Sequence, residues 1–338
     1  MRVLFVTNMW PSAERPGAGV FVAAQARSLE SLGVGVAVHV IEGHRHPSRY
    51  LTDAWRIRPR VLASQSDLVH AHYGLSGWTA AWQPCPLVIS FCGDDLLGTP
   101  DRLGGLTIKS RAAAAMSQWV ARRAAGIVCK SPNLRAALQY PEDRDRAEVI
   151  PNGVDLTLFH PGPRDEARRK LGIPTEVQVV LFPHNPGQAA QKRFDLATQT
   201  IELLQPRLPQ IRLLHVSGVP HARMPDFFRA ADCLLLTSRS EGSPNVVKEA
   251  LATGLPVVSV DVGDVAGWLG KVSGCRIARP VADELAMAVE QVLQAGGRVD
   301  PSPVLSELDE RLAATKLVAL YERILAGKLG RPRRRSIN

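Results

Sequence analysis

The sequence predicts an α/β protein with two parallel sheets, and three observations support this fold class. Short apolar runs, typical of strands buried on both faces, alternate with amphipathic helical stretches along most of the 338 residues. The alternation is interrupted by a proline-rich and charged segment at 155–174 and then starts again. The length suits about two domains of roughly 100–200 residues each. We therefore expect two Rossmann-like domains.

The first half begins with a strand, a loop and a helix. Val3–Val6 is apolar throughout, and a loop rich in proline and glycine follows at 8–19. Val20–Leu32 has helical spacing, with Gly33 as its C-terminal stop. Further strands of this half are expected at 34–41, 68–70, 87–89, 126–128 and 149–150, and a long helix at about 106–125.

The second half repeats the alternation. Strands are expected at 177–182, 211–216, 234–236 and 257–260, and helices at 194–204, 225–231, 244–253 and, as one long element, 303–325. The boundaries that follow are a first domain at 1–160, a linker with a short helix at 161–174, a second domain at 175–302, and a C-terminal helix with a basic tail at 303–338.

Composition limits the class of function. Lysine plus arginine number 41 against 32 acidic residues, and the net charge of +9 favours anionic partners such as phosphorylated substrates, lipid surfaces or nucleic acid. Aromatic residues are only 5%, which argues against a base-stacking nucleic-acid binder. The basic stretch 331–335 is interpreted as a solvated chain end.

Cysteine spacing and hydropathy indicate a cytoplasmic protein. The five cysteines are Cys85, Cys92, Cys129, Cys233 and Cys275, and no two of them form a CxxC pair. This spacing argues against a disulfide framework or a zinc site, and it fits a reducing compartment. No apolar run approaches the roughly 18 residues of a membrane span. The N-terminal run Val3–Val6 is too short for a signal peptide.

The most informative local pattern is Ser238–Ala250, which follows an apolar strand and opens a helix. Ser243 is expected to cap this helix, with Pro244 in its first turn. A helix start after a glycine turn offers free N–H groups to a phosphate. Glu241 and Glu249 flank that start, and because carboxylates repel phosphate, hydroxyl groups are their natural partners. The pattern fits a nucleotide-sugar, and the alternative is a pair of surface charges on an ordinary capped helix.

Four segments resemble motifs of one family, and they are 90–95, 150–155, 191–195 and 241–258. The last, with glutamates at 241 and 249, resembles the signature of the retaining GT-B glycosyltransferases of family GT4 (glycosyltransferase group 1). Residues 150–155 resemble that family's domain-boundary motif, 191–195 its lysine-bearing motif, and 90–95 the inner end of a first-domain strand. The resemblance covers nearly the whole chain and implies a GT-B fold, in which the two Rossmann-like domains face a central cleft.

The resemblance also implies roles for individual residues of the second domain. Glu249 is similar to the family's glutamate that binds ribose hydroxyls, and Glu241 to the catalytic-site glutamate near the transferred sugar. The backbone of Gly242 and Ser243 would approach that sugar or the phosphates. Asn245, one turn before Glu249, is placed with these donor-binding residues.

Lys192 matches the family's lysine that neutralises the leaving diphosphate. A fixed cation there stabilises charge that develops as the glycosidic bond breaks. Arg193 either shares this task, as a donor-binding residue, or faces solvent. Many relatives carry an arginine near 182–186, where this chain has His184 and Asn185.

The loop at 8–19 does not carry the GxGxxG pattern of a nicotinamide site, because only Gly17 and Gly19 are present. The resemblance assigns these two glycines to a lip of the first domain that closes over the donor diphosphate or the acceptor. The alternative is a plain flexible loop.

Five residues are candidates for the acceptor or sugar side, and they are His72, Tyr73, Cys92, Asp94 and Asp95. His72 and Tyr73 end a buried strand, where such sheets line a ligand crevice. The neighbouring histidines have no third ligand nearby, so no metal site is predicted. Cys92 stands where many relatives have histidine. Asp94 and Asp95 either assist the acceptor hydroxyl or cap the following helix.

The expected function is transfer of a hexose-type sugar, with retention, from an NDP-sugar to a hydroxyl of a glycan, lipid-linked or small-molecule acceptor. No cofactor or metal is expected, since the NDP-sugar is a co-substrate. The resemblance also implies that the C-terminal helix crosses back to the first domain, and it leaves peripheral contact with the inner membrane face open. The alternatives are a GT-B nucleotide-sugar epimerase or phosphorylase, a non-catalytic sugar-nucleotide binder, and a nucleic-acid binder that uses the basic tail.

Overall fold

The computed structural model describes residues 1–43, 45–99, 105–184 and 189–327. Two parallel sheets form its two domains, one built by the first half of the chain and one by the second. The basic stretch at 331–335 and Asn185 lie outside the described residues. Within those residues, every helix is too short or too polar to cross a lipid bilayer.

The first sheet has six parallel strands in the order β2-β1-β3-β4-β5-β6. They are β1 (Arg2–Thr7), β2 (Gly35–Val40), β3 (Leu68–His72), β4 (Leu87–Phe91), β5 (Gly126–Cys129) and β6 (Ala147–Val149). The helices of this half are α1 (Val20–Ser31), α2 (Arg49–Ala63), α3 (Gly74–Ala80), α4 (Asp94–Leu97), α5 (Ile108–Arg123), α6 (Pro132–Ala136) and α7 (Pro141–Arg146). Strands β3, β4 and β5 are buried at every position, as continuous apolar runs predict.

The second sheet has five parallel strands in the order β11-β10-β9-β7-β8. They are β7 (Gln178–Pro183), β8 (Ile211–Val216), β9 (Cys233–Leu236), β10 (Val257–Val260) and β11 (Arg276–Ala278). The helices of this half are α8 (Arg164–Leu171), α9 (Ala189–Lys192), α10 (Phe194–Leu204), α11 (Met224–Ala230), α12 (Asn245–Ala252), α13 (Val265–Leu269), α14 (Ala282–Ala295), α15 (Ser302–Leu308) and α16 (Glu310–Leu325). Each sheet is covered on both faces by a separate apolar cluster.

The C-terminal region differs from the predicted single helix over 303–325. It forms α15 and α16, and Asp309 between them caps α16 by accepting a hydrogen bond from the Arg311 N–H at 2.8 Å. Helix α15 packs against α12 of the second domain, whereas α16 packs against α1 of the first. Tyr321 of α16 is fully buried and hydrogen-bonds His70 of β3 at 2.5 Å. The break at Asp309 therefore lets the chain end bind both domains.

The segment at 161–174 contains helix α8, which packs on α11 of the second domain. Its anchor is Arg168, whose side chain is 1% exposed and contacts Asp232 at 2.7 Å. The same guanidinium donates to the backbone carbonyls of Ala230 and Thr175 at 3.0 and 2.8 Å. A buried charge held this way requires its partners, because an unpaired charge in the interior is costly.

Replacing Arg168 with alanine is expected to lower the free energy of unfolding by about 3–5 kcal/mol, because it leaves Asp232 without its buried cation. Arg164 provides a matched control, since it contacts the same Asp232 at 2.6 Å from a side chain that is 45% exposed. For Arg164→Ala we expect less than about 1 kcal/mol. Urea unfolding of both variants measures the difference, and equal losses would contradict a special role for Arg168.

Candidate active site

The two domains meet at a pair of glycine-containing turns. A Cβ on Gly242 would lie 2.6 Å from the Cys92 carbonyl oxygen and 3.0 Å from the Gly93 Cα, so only glycine permits this approach. The amide of Asn133 in the first domain also reaches the Glu241 carbonyl oxygen at 3.4 Å. The predicted turn between β9 and α12 therefore lies at the interface of the domains.

Helix α12 begins one residue later than expected, which corrects the assignment of Ser243 as its cap. Pro244 occupies the N-cap position, and no side chain caps the helix. The Ser243 hydroxyl instead donates to Asp264 Oδ2 at 2.8 Å. The N–H groups of Gly242 and Ser243 have no hydrogen-bond partner among the described residues. This turn consequently offers free donors at the start of a helix.

Lys192 and Glu241 form an ion pair at this turn, with 2.5 Å between Nζ and Oε1. The two loops that carry them are bound to each other. The Thr237 hydroxyl donates to the Lys192 carbonyl oxygen at 2.7 Å, and the Arg239 N–H donates to the Gln191 carbonyl oxygen at 2.8 Å. These bonds hold the ammonium and carboxylate groups in a fixed relation.

Arg193 follows Lys192 in a left-handed conformation, with φ of 54°. Its guanidinium contacts Asp195 at 3.0 Å, and it lines the same cavity as Arg239. His184, which stands where the family resemblance leads us to expect an arginine nearby, is buried and packs against His215 at a tilted angle, with ring centroids 4.3 Å apart. Burial lowers the pKa of His184, so this position supplies a neutral imidazole rather than a cation.

Glu249 lies on the first turns of α12 and contacts His221. The distance between His221 Nε2 and Glu249 Oε1 is 2.8 Å. Asn245, at the start of the same helix, accepts a hydrogen bond from the Asn152 amide at 3.4 Å. The segment 150–155 at the domain boundary is thus joined directly to the helix that carries Glu249.

A second network under the turn was not predicted from the sequence. Lys248 is fully buried and donates to the Asn152 carbonyl oxygen at 2.7 Å and to the Ser243 hydroxyl at 3.1 Å. Burial lowers the pKa of Lys248 to about 8. Trp268 donates to Asp264 Oδ2 at 3.0 Å and completes the support of Ser243. A lysine after two valines on a short helix was the sequence signal for this network.

The loop glycines of the first domain have different surroundings. Gly19 has φ of 65°, and a Cβ there would overlap the Met9 backbone carbonyl, so the loop's own packing requires glycine. Gly17 has open space where a Cβ would be placed. Of the two, Gly17 is therefore the one whose surroundings leave room for a ligand.

His72 does not present its side chain at the sheet edge, which corrects its assignment as an acceptor contact. It is fully buried, stacks on His70 at 4.4 Å, and places Nε2 3.1 Å from the Gln25 amide nitrogen. Burial holds the pKa of His72 well below its usual value.

Tyr73 is half-buried, with φ of 81°, and burial raises the pKa of its phenol.

Asp95 is a structural group rather than an acceptor contact. Its carboxylate accepts hydrogen bonds from the N–H groups of Gly74, Cys92 and Gly93 at 3.1, 3.0 and 2.8 Å. Burial raises the pKa of Asp95 to about 7, against the lowering effect of these three donors. The Asp95 carboxylate thereby links the residues that follow β3 to those that follow β4.

Asp94 is more accessible than Asp95 and accepts a hydrogen bond from the Thr99 hydroxyl at 3.1 Å. The Cys92 thiol donates to the Ser90 carbonyl oxygen at 3.7 Å, and burial raises its pKa. A protonated thiol in this position lacks the hydrogen-bonding capacity of the imidazole that the family resemblance leads us to expect there.

Lys130 directly follows β5 and is a further buried cation that sequence reasoning missed. Its Nζ donates to the Gln25 amide oxygen at 3.2 Å, and burial lowers its pKa to about 8. The sequence signal was a lysine at the carboxyl end of an apolar strand.

In the part of the chain that the structure describes, no three His, Cys, Asp or Glu side chains form a group that could hold a metal.

A cavity of about 780 Å³ adjoins the Lys192 loop and opens between the domains. Its wall in the first domain includes Leu97 and Leu106, and its wall in the second includes Arg193, Arg239 and Arg279. The cavity is large enough for a sugar-sized ligand. It lies along the carboxyl ends of β9, β10 and β11, the edge at which parallel sheets bind ligands.

Two family models match consecutive parts of the chain. "Glycosyltransferase Family 4" matches residues 2–158, and "Glycosyl transferases group 1" matches residues 188–295. Together they include both halves of the candidate site.

Several curated proteins are similar over most of the chain. TuaC of Bacillus subtilis (strain 168), named as a candidate teichuronic acid biosynthesis glycosyltransferase, is 27% identical over 86% of this chain and 88% of its own length. The D-inositol 3-phosphate glycosyltransferase of Arthrobacter sp. (strain FB24) is 27% identical over 78% of this chain and 79% of its own.

Solved structures share the fold at low sequence identity. Sucrose-phosphate synthase from Thermosynechococcus elongatus has a TM-score of 0.77 at 16% identity, covering 96% of this chain and 99% of that one. Anabaena HepE in complex with UDP-glucose has a TM-score of 0.62 at 18% identity, covering 97% of this chain and 99% of that one. The two facing sheets therefore have the arrangement of these enzymes.

Proposed function

The chain belongs to glycosyltransferase family 4 (glycosyltransferase group 1) and has the GT-B fold, and from that premise we propose the reaction it performs. It transfers a hexose-type sugar from an NDP-sugar to a hydroxyl acceptor, with retention of the anomeric configuration and without a metal ion. The single observation that carries this proposal is the Lys192–Glu241 ion pair beside the unpartnered N–H groups of Gly242 and Ser243.

The diphosphate is bound by donors at this turn. Lys192 has three N–H donors and uses one on Glu241, so two remain for phosphate oxygens. The free N–H groups of Gly242 and Ser243 add neutral donors at the positive end of α12. The complex of HepE with UDP-glucose is that of a protein sharing this fold, and it supports a nucleotide-sugar as the donor class.

The two glutamates bind hydroxyl groups on either side of the diphosphate. Glu249, one turn past Asn245, accepts from the ribose hydroxyls. Glu241 accepts from the transferred sugar through the oxygen that does not contact Lys192. Carboxylates suit this task because each oxygen can accept hydrogen bonds from hydroxyl donors.

The transfer needs little acid–base help from side chains. The acceptor oxygen forms a bond to the anomeric carbon while the bond from that carbon to the β-phosphate oxygen breaks, and the acceptor proton goes to the departing phosphate oxygen. Lys192 and the turn amides stabilise the negative charge that develops on the diphosphate. This arrangement supplies what a divalent cation would otherwise supply.

The acceptor occupies the cavity between Leu97 and Arg239, whose wall includes Ser240, the residue before Glu241. The names of the relatives refer to teichuronic acid biosynthesis and to D-inositol 3-phosphate. These names span a glycan and a phosphorylated small molecule, and the proposed acceptor is accordingly a glycan, a lipid-linked sugar or a small molecule that bears a free hydroxyl. We place the enzyme in the cytoplasm, which suits five cysteines that are all free.

We further propose that the enzyme contacts the inner membrane face through one surface of the first domain. This tryptophan surface comprises Trp55, Trp82 and Trp119, which are 80%, 51% and 36% exposed. Arg123 lies 5.6 and 5.0 Å from the rings of Trp82 and Trp119, and α2 adds exposed arginines at 56, 58 and 60. Exposed indole rings beside arginines fit an anionic lipid interface.

Replacing Trp55 and Trp82 with serine is expected to reduce co-sedimentation with phosphatidylglycerol vesicles several-fold, because each indole ring buries apolar area in the interface. Leu203→Ser is the control, since Leu203 is a 41% exposed apolar residue of the second domain. Equal sedimentation of the double variant and the parent would contradict the membrane contact.

The donor and the reaction are tested together. Thermal unfolding is recorded with UDP-, GDP- and ADP-sugars, with and without EDTA, since a bound ligand raises the midpoint. The stabilising NDP-sugar is then incubated with and without candidate acceptors, and the anomeric configuration of any product is read by NMR. Consumption of the donor without an acceptor would favour an epimerase or a hydrolase. Activity that requires added metal would contradict the metal-independent mechanism.

A further inference from the structure

His221 is a residue that neither the sequence motifs nor the proposed reaction uses, and it sits directly against the candidate ribose site. It opens a short 3₁₀ turn, His221–Arg223, between β8 and α11. Its Nε2 lies 2.8 Å from Glu249 Oε1, and its ring packs on Phe159 with centroids 5.0 Å apart. The imidazole is therefore held on one side by an aromatic ring and on the other by a carboxylate.

The contact uses only one oxygen of Glu249. Oε1 pairs with His221, whereas Oε2 has no hydrogen-bond partner among the residues that the structure describes. The Glu249 side chain is 13% exposed and the His221 side chain 31% exposed, so the imidazole is the more accessible half of the pair. A carboxylate anchored through one oxygen is restrained in position and keeps its second oxygen available to a ligand hydroxyl.

We propose that His221 is a positioning residue for Glu249, which orients the carboxylate toward the ribose hydroxyls and makes NDP-sugar binding dependent on the protonation of the imidazole. The inference rests on the proposed function, because it requires a nucleotide-sugar at Glu249. His221 touches neither the reacting carbon nor the diphosphate in this scheme, so its effect is on donor binding and not on the chemical step.

The charges around His221 give the sign of the pH dependence. Burial by itself lowers the pKa of His221, but the hydrogen bond and charge of Glu249 outweigh burial and raise it. Arg27 of α1 lowers this pKa and Asp155 of the domain-boundary segment raises it. When His221 is protonated, the Glu249 charge is balanced. As the pH rises above the raised pKa of His221, the imidazole becomes neutral and no longer offsets the negative charge of Glu249. That charge then repels the anionic NDP-sugar, and donor affinity falls.

The test is titration calorimetry with UDP-glucose, GDP-mannose and ADP-glucose between pH 5.5 and 8.5, from roughly one unit below to two units above the ordinary histidine pKa. NDP-sugars are chosen because their diphosphate has no ionisation in this range. For the donor that binds, we expect His221→Ala to raise Kd about tenfold, as for loss of a hydrogen bond to a charged group, with kcat within about twofold of the parent.

His221→Gln separates orientation from charge. Glutamine keeps an N–H donor for Glu249, so we expect it to recover part of the affinity and to lose the part of the pH dependence of Kd that the imidazole causes. His160→Gln is the control, because His160 is exposed and its side chain hydrogen-bonds only the neighbouring Pro161 carbonyl oxygen among the described residues. Thermal unfolding of each variant verifies that it is folded.

Two failures are distinguishable. If the parent binds NDP-sugar but His221→Ala binds equally well, or if His221→Gln retains the parental pH dependence, the role of His221 is wrong while the proposed function stands. If the parent binds none of the three NDP-sugars, the proposed function and this inference both fail.

Discussion

Replacing Lys192 with alanine is expected to lower kcat about 10²–10³-fold, with a much smaller rise in KM for the NDP-sugar, because the ammonium stabilises charge that exists mainly in the transition state. In the ground state we expect the diphosphate to keep its contacts with the otherwise unpartnered N–H groups of Gly242 and Ser243. Steady-state kinetics at saturating acceptor separate the two effects.

Arg193→Ala is the matched control for the Lys192 variant. Arg193 is the next residue in the chain, and its guanidinium is already paired with Asp195. We expect its kcat to fall far less than that of Lys192→Ala. A Lys192→Ala enzyme with parental turnover, or equal losses in the two variants, would show that Lys192 does not neutralise the leaving group.

Replacing Glu249 with alanine is expected to raise the Kd for the NDP-sugar about 10–100-fold, because the ribose hydroxyls lose a charged acceptor and His221 loses its partner. The effect on kcat at saturating donor should be smaller, since the ribose is remote from the bond that breaks. Calorimetry with the parent's NDP-sugar measures the change.

Glu202→Ala provides the comparison for Glu249, since Glu202 is an exposed glutamate on α10 of the same domain. Its Kd should equal that of the parent. If Glu249→Ala retains parental affinity, the ribose does not bind at Glu249, and the assignment of the nucleotide to this side of α12 is wrong.

The sheets could be predicted from the sequence because parallel strands buried on both faces are continuous apolar runs. Runs such as Val257–Val260 are strands with the predicted bounds. Helix α2 (Arg49–Ala63) was missed because its arginines and the internal Pro59 hide the helical pattern. The single predicted C-terminal helix was wrong because the Asp309 cap and the contacts with both domains arise only in the folded chain.

The site could be predicted only where its residues lie in one segment or in a recognisable motif. Lys192 and Glu241 are 49 positions apart, and both were predicted as site residues because each belongs to such a motif; the structure brings the two side chains together. Lys248, Asp264 and His221 were not, since their roles come from contacts across the fold. His72 was misplaced because a strand end does not reveal which face its side chain takes.

The central claim is that Lys192 and the turn before α12 bind a diphosphate between two glutamates. The most direct measurement is a crystal structure of the enzyme with its NDP-sugar bound in the absence of acceptor. We predict phosphate oxygens within hydrogen-bonding distance of Lys192 Nζ and of the Gly242 and Ser243 N–H groups, with the ribose on Glu249 and the sugar on Glu241. A diphosphate bound away from that turn, with either glutamate free of the ligand, would contradict the claim.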